Sequence, residues 1–276
     1  MFKLLLIIAL LPFAAFNQGY QVNLQGQIQQ GMASAGTALI QDAAALFYNP
    51  GGVSFLNKNE ASIGMTPTFA NATFLENTTF ETARTVSPLG TPFTAYGLFQ
   101  LADSSKLKLG LAIYTPFGST IEWEPGWVGR FAVTRLQLKA IFFQPTVSYR
   151  ITDKIGLGAG FIYTTGSVNL QKDLPLLDQN GDYAHVELAG KGYGFGYNLG
   201  LYLEPTEHLS VGLTYRSEIA MNLTKGTATF TVPNSVEDKF PSGDFTSSLP
   251  LPQVLTLALA VKPNDKLAIA LDMNYV

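Results

Sequence analysis

Large apolar and small residues alternate along most of this chain. From Tyr193 to Leu203 every odd position is large and apolar or aromatic, while every even position from Gly192 to Gly200 is glycine or asparagine. A strand with one bulky face, one small face and this length suits a tilted membrane-spanning β-strand. Soluble strands with one buried face also alternate, so the repetition of the pattern is what decides. It predicts nine strands, over residues 60–70, 93–101, 107–113, 135–151, 155–164, 192–203, 209–216, 255–261 and 267–275. Thr115-Pro116-Phe117-Gly118 interrupts the third. Proline removes a ladder donor, so the strand must bend or open there. The alternation of the fourth changes parity near Ala140 to Phe142, which predicts a bulge. Short turns, such as Thr152-Asp153-Lys154 and Pro263 to Lys266, alternate with longer loops at 173–190 and 233–248. Outer-membrane barrels have that asymmetry.

Residues 18–57 do not alternate. They are rich in Gly, Ala, Gln and Asn, with a short helix expected within Ala33 to Leu46 and a stop at Tyr48-Asn49-Pro50-Gly51-Gly52. This stretch reads as a compact segment that is not part of the barrel wall. Ahead of it, Lys3 precedes an apolar run from Leu4 to Phe16, too short for a helix that stays in the bilayer. The expected organisation is a signal peptide at 1–17, an N-terminal hatch or plug at 18–57 and a transmembrane barrel at 58–276. Single-chain bacterial barrels have even strand numbers, and an open edge is costly in lipid. Nine strands ending at Val276 therefore predict a partial barrel, with C-terminal strands missing from this sequence.

Composition strengthens the membrane reading. Only 13% of the 276 residues are charged, against roughly 25% in average soluble proteins. A net charge of −3 argues against nucleic-acid binding. The chain has no cysteine, hence no disulfide framework and no thiolate metal site. His185 and His208 are expected in loops or turns on opposite sides of the membrane, which favours neither a catalytic His–Ser pair nor a metal centre. No cofactor and no enzymatic activity are expected.

Several local stretches, in order, resemble the FadL/TodX family of outer-membrane long-chain fatty acid and hydrocarbon transporters. They are Gly19-Tyr20-Gln21-Val22-Asn23, Tyr48-Asn49-Pro50-Gly51, Tyr114-Thr115-Pro116-Phe117-Gly118 with Trp127-Val128-Gly129-Arg130, Gly194-Phe195-Gly196-Tyr197-Asn198 and Thr214-Tyr215-Arg216-Ser217-Glu218. At the second, glycine stands where the family's Asn-Pro-Ala motif has alanine. The resemblance implies an all-β, 14-stranded antiparallel transmembrane barrel plugged by an N-terminal hatch. A long-chain fatty acid or similar hydrophobic molecule would bind in the lumen and leave sideways into outer-membrane lipid, near a kink in strand three. Asn49 and Pro50 would shape the hatch, and Pro116 and Gly118 the lateral gate. The protein is expected to be a monomer in the outer membrane of a Gram-negative bacterium. Alternative readings are an aromatic-hydrocarbon transporter and a non-transporting surface or adhesin barrel.

Among ligand contacts, Lys172 matches the family's basic residue near the outer end of strand five, and its parity points inward. Tyr20 matches an N-terminal aromatic that lies against ligand. Arg216 also has inward parity, but Glu218 shares it, so a lumenal ion pair competes with a ligand role. Arg130 has a loop role as its alternative. Phe117, Trp123 and Trp127 read either as a ligand groove or as an interfacial aromatic belt, with the belt preferred for Trp127.

Overall fold

The computed structural model describes residues 22–102 and 105–276. The expected signal peptide and Tyr20 lie outside them. The described chain is almost all β, and every pairing is antiparallel. The strands are β1 (Glu60–Met65), β2 (Thr73–Leu75), β3 (Thr82–Arg84), β4 (Phe93–Gln100), β5 (Leu107–Glu122), β6 (Arg135–Thr152), β7 (Ile155–Leu177), β8 (Tyr183–Thr206), β9 (Leu209–Arg216), β10 (Ile219–Thr231), β11 (Gly243–Leu251), β12 (Val254–Asn264) and β13 (Leu267–Tyr275). The main sheet runs β1-β4-β5-β6-β7-β8-β9-β12-β13, and β2-β3 form a separate pair. Residues 22–57 contain no strand. They carry two single helical turns, α1 (Gln27–Gln30) and α2 (Ala45–Tyr48), and a 3-10 turn at Gly52–Phe55.

One face of the sheet is buried against this N-terminal segment. The other exposes Leu157, Phe161, Tyr163, Tyr193, Phe195, Tyr197 and Leu199 in one continuous field. The Phe161 and Tyr163 rings pack on Phe195, with centroids 5.9 and 5.6 Å apart. In water so large an apolar patch is a liability; against acyl chains it is the natural surface. No helix among the described residues is long and apolar enough to cross a membrane.

The nine expected strands are all present, and the structure corrects several of their details. The parity change expected near Ala140 to Phe142 is not a bulge in β6. Leu138, Ala140, Phe142, Gln144, Thr146 and Ser148 all face inward and are buried without a break. What inverts is polarity. Toward the short turns the inner face is polar and the outer face apolar. Toward the long loops the inner face is apolar and the outer carries Gln137 and Lys139. β7 inverts likewise, with Phe161 and Tyr163 outside giving way to Ser167, Asn169 and Gln171. The real bulge lies on β5, where Thr115 and Pro116 together oppose Ile141. β5 is therefore not interrupted at Pro116: it runs on to Glu122 with its parity reversed, which turns Phe117 inward.

The same inversion hid two further elements. The expected loop at 173–190 is mostly strand, since β7 and β8 pair without a shift from Ile155↔Leu203 to Leu174↔Ala184. Residues 219–231 form β10, which continues β9 beyond a break at Ser217-Glu218: β9 pairs the 198–206 part of β8, and β10 pairs the 185–193 part. Ser217 stitches the break, its N–H donating to the Tyr197 carbonyl (2.9 Å) and its hydroxyl accepting from the Tyr197 N–H (3.0 Å). β11, inside the expected 233–248 loop, pairs with β10 in the same way that β12 pairs with β9.

Candidate functional site

The concave face divides into two halves. In the half near the short turns, the wall presents glycine and small polar residues, and the N-terminal segment fills it backbone to backbone. A Cβ at Gly158 would lie 2.2 Å from the Pro50 carbonyl carbon, and one at Gly212 would lie 2.4 Å from the Thr37 oxygen. The alternating glycines of β7 to β9 are thus a seat for the segment. Asn49, fully buried, holds the turn together: its Nδ2 donates to the carbonyls of Thr37 (2.8 Å) and Leu201 (3.1 Å), and its Oδ1 accepts from the Gly51 N–H (3.0 Å). Gln144 Nε2 donates to the Leu46 carbonyl (2.7 Å), and Gln144 Oε1 accepts from the Tyr114 hydroxyl (2.6 Å). Buried polar groups must be paired, and here each wall amide takes a segment carbonyl that no helix or sheet would satisfy.

The half near the long loops is apolar inside. Phe117, Leu138, Phe142, Ile162, Met221 and Leu223 are buried there in one cluster, with Val168 and Leu249 packed against it. Lys172 lies on this inner face of β7, half-buried and opposite buried Val186 on β8. Among the described residues no acidic group forms an ion pair with it.

The wall is incomplete beside this apolar half. Pairing of β4 with β5 stops at Thr94↔Tyr114. Thr115 closes that end with its side chain, accepting from the Phe93 N–H (3.0 Å) and donating to the Phe93 carbonyl (3.2 Å). The Pro116 carbonyl then accepts from Val22 N–H (2.8 Å), and Gln25 Nε2 donates to the Thr115 carbonyl (3.2 Å). Along that edge β5 next meets a partner at Glu122, whose carbonyl accepts from Val86 N–H (2.7 Å). The stretch around Phe117 and Gly118 is therefore a gap between β4 and β5, touched by the start of the N-terminal segment.

Arg216 lies deeper, at the end of β9, and is 9% exposed. Its expected pairing with Glu218 is overturned. The Ser217-Glu218 break reverses parity, Glu218 is exposed, and no ion pair joins the two. Instead Arg216 Nη2 donates to the Phe47 carbonyl (2.9 Å), with the guanidinium 4.0 Å from the centre of the Phe47 ring. Lys172 and Arg216 do not meet. Their partners on β8 are Val186 and Asn198, about 40 Å apart along the strand.

The remaining candidates serve loop and strand structure. Trp127 stacks on Trp123 (centroids 4.2 Å, 11°) and donates its indole N–H to the Val133 carbonyl (2.8 Å), which makes it the nucleus of the β5–β6 loop. Arg130 lies between the rings of Phe131 and Tyr183, at 5.0 and 4.7 Å. His185 is not in a loop. It lies on β8, its Nδ1 3.0 Å from Asp173 Oδ1, while His208 occupies the β8–β9 turn at the other end. In the β7–β8 turn, backbone N–H groups, that of Asp182 foremost, hold the Asp178 carboxyl below its usual pKa.

The family profile described as "Outer membrane protein transport protein (OMPP1/FadL/TodX)" matches residues 6–276. The chain belongs to this family. FadL/TodX proteins are outer-membrane proteins, and this chain is one. It is 26% identical over 248 residues to a putative outer membrane protein of Neisseria meningitidis serogroup B, covering 76% of this chain and 51% of that protein. It is 23% identical over 238 residues to the long-chain fatty acid transport protein of Escherichia coli, covering 78% and 53%. The chain thus spans about half the length of these curated relatives. Its fold matches that of a Pseudomonas aeruginosa FadL homologue, with a TM-score of 0.72, 19% identity and coverage of 92% of this chain and 68% of the other. It also matches the Ralstonia pickettii toluene transporter TbuX, with a TM-score of 0.69, 16% identity and coverage of 90% and 70%.

Within this FadL/TodX frame, sequence reasoning passed over Tyr114, Gln144 and Asn198, which bind the N-terminal segment to the wall. Their one signal was polarity at inward positions of otherwise apolar strands. Such a residue on a lipid-contacting barrel must find its partner inside.

Proposed function

We propose that the protein takes up long-chain fatty acids, or hydrophobic molecules like them, across the outer membrane. The long loops face outward, residues 22–57 act as the hatch, and the ligand leaves sideways between β4 and β5. The observation that carries this reading is the junction at Thr115-Pro116, where the apolar half of the lumen meets the gap in the wall and the start of the hatch touches the same carbonyls. An acyl chain prefers the bilayer to water by about 0.8 kcal/mol per methylene, so a sideways exit runs downhill and needs no nucleotide. Phe117 would line the path, and Pro116 and Gly118 would form its rim. Lys172, half-buried beside apolar residues, would attract the carboxylate as it enters.

A second reading, uptake of aromatic hydrocarbons, has the fold likeness to TbuX in its favour. The two readings separate on Lys172, which a hydrocarbon does not need. The test is uptake of oleate and of toluene by cells carrying the full-length protein. A disulfide pinning β4 to β5 across the gap is added and then reduced. Oleate uptake abolished by the cross-link and restored on reduction supports the lateral route. Uptake indifferent to the cross-link sinks it.

A further inference from the structure

Three lysines form one row on the outer face of the wall. The register runs from Lys139 on β6 through Ser167 on β7 and Lys191 on β8 to Lys225 on β10, each paired with the next. All three lysines are exposed, and their chain neighbours Ala140, Gly192 and Gly226 are buried on the inner face. The row borders the apolar field. Toward the short turns the next outward residues are Ile141 and Phe143 on β6, and Tyr193 and Phe195 on β8. A lone lysine at such a rim is ordinary, because its stem covers apolar surface while its ammonium reaches water. Here, however, Lys191 and Lys225 stand directly opposite each other, and like charges so placed destabilise a sheet. Lys139 and Lys191 flank the short side chain of Ser167, on strands about 10 Å apart.

Elsewhere on this outer face the charges are matched. Arg135 lies 3.6 Å from Glu122, His185 lies 3.0 Å from Asp173, and the Glu187 carboxylate accepts from the Asn169 amide. Among the described residues none of the three lysines forms an ion pair. The acid that comes nearest to the row in the register is Asp244 on β11, the partner of Thr227. That places it diagonally from Lys225, about 8 Å away, on the side remote from Lys191. The row is thus a local excess of positive charge on a chain whose net charge is −3.

We propose that this row docks a phosphate-bearing lipid of the outer leaflet, with a phosphate between Lys191 and Lys225 and the acyl chains on the aromatic field beside them. Charge-assisted hydrogen bonds are roughly twice as strong as neutral ones, so a phosphate there turns the repulsion of the facing pair into a shared attraction. Lys139 and the Ser167 hydroxyl extend the cationic edge to the remaining polar groups of the head. Cations and apolar surface adjoin here in the order in which a lipid carries its head and its tails. A soluble phosphate would use the lysines and leave the field untouched. The inference takes from the uptake reading only that the long loops face outward; what crosses the lumen does not enter it.

The test is lipid binding by the full-length protein folded in detergent, read by native mass spectrometry and by the melting temperature. The probes are bisphosphorylated lipid A, the same lipid stripped of its phosphates, and inorganic phosphate. Wild type is compared with a double variant, Lys191→Gln with Lys225→Gln, and with Lys266→Gln, which lies in the β12–β13 turn at the other end of the wall. Wild type and Lys266→Gln should retain lipid A and melt higher with it. The double variant should bind lipid A about twenty-five-fold more weakly, at about fivefold per lysine. Without lipid it should melt slightly above wild type, because the facing charges are gone; with lipid A it should melt below. A purely structural role of the lysines would not reverse that order. Equal retention of the dephosphorylated lipid by wild type, or undiminished lipid A binding by the double variant, overturns the site. Inorganic phosphate that raises the melting temperature as much as lipid A does overturns lipid docking. Neither failure touches the uptake reading, which is measured by transport.

Discussion

The two halves of the lumen are built from the same strands by opposite rules. Near the short turns the wall gives up side chains at alternate positions, so that the hatch backbone can lie on it and exchange hydrogen bonds with Asn198, Gln144 and Arg216. Near the long loops the same strands turn Phe142, Ile162, Met221 and Leu223 inward, into an apolar cluster that continues through Tyr114 to Phe47 of the N-terminal segment. The difference teaches that inward polarity in this barrel does not report contact with water. It reports what the wall touches: a peptide backbone in one half and apolar surface in the other.

Substitution can break the contrast from either side. The largest effect is expected at the glycine seat. Gly158→Val drives a side chain into the Pro50 carbonyl, and overpacking of this severity costs about 3 kcal/mol or more. Limited proteolysis should then cut the hatch while the wall stays intact. An uncut hatch would mean that the seat is softer than the geometry indicates. Asn49→Ala comes next. It strips two carbonyls and one N–H of their partner, at about 2–4 kcal/mol, read as a lower denaturant midpoint and faster exchange in residues 45–56. Wild-type exchange there would remove Asn49 from the account.

In the other half the expected effects are smaller and bear on ligand more than on fold. Lys172→Ala should weaken oleate binding about tenfold, the loss of about 1.4 kcal/mol, and leave toluene binding and stability unchanged. An equal loss for both ligands would argue for packing instead of charge. The smallest effect is at the outer turn. Because Asp178 is held below its usual pKa by backbone N–H groups, its contribution is full above the ordinary carboxylate value of about 3.9. That contribution is lost as pH falls through the lower folded value. Exchange of the Asn180 and Asp182 amides should speed up only in that acid range; a change near neutral pH would contradict it.

Much of the wall was legible because lipid imposes a strict period. Phe161, Tyr163, Phe195 and Tyr197 could face nothing else, and their strands match expectation within a few residues at the short-turn ends, whereas toward the long loops β7 and β8 run well past the expected ends. The errors fall where that period changes meaning. The parity change expected near Ala140 to Phe142 is a change of polarity and not a bulge, because Gln137 and Lys139 stand outward above the apolar band. Ile219, Met221 and Leu223 carry the same inverted pattern, apolar inward and polar outward, on a strand absent from the nine expected. The pairing of Arg216 with Glu218 failed because two residues of broken strand reverse parity, and nothing in Ser217-Glu218 announces that. Pro116 was legible as a disruption, yet only the register shows that the lost ladder is the one with β4.

The polarity inversion also has a consequence of height. β7 has 23 residues, about 75 Å of strand, and at a barrel's usual tilt of about 40° it stands about 60 Å tall, against an apolar band of about 25 Å. The wall is taller than the membrane it crosses. Its upper part is a chimney, wettable outside and oily inside. On the proposed uptake route, a water-insoluble molecule would leave the aqueous phase above the headgroups and reach the acyl chains without ever dissolving in the polar skin between.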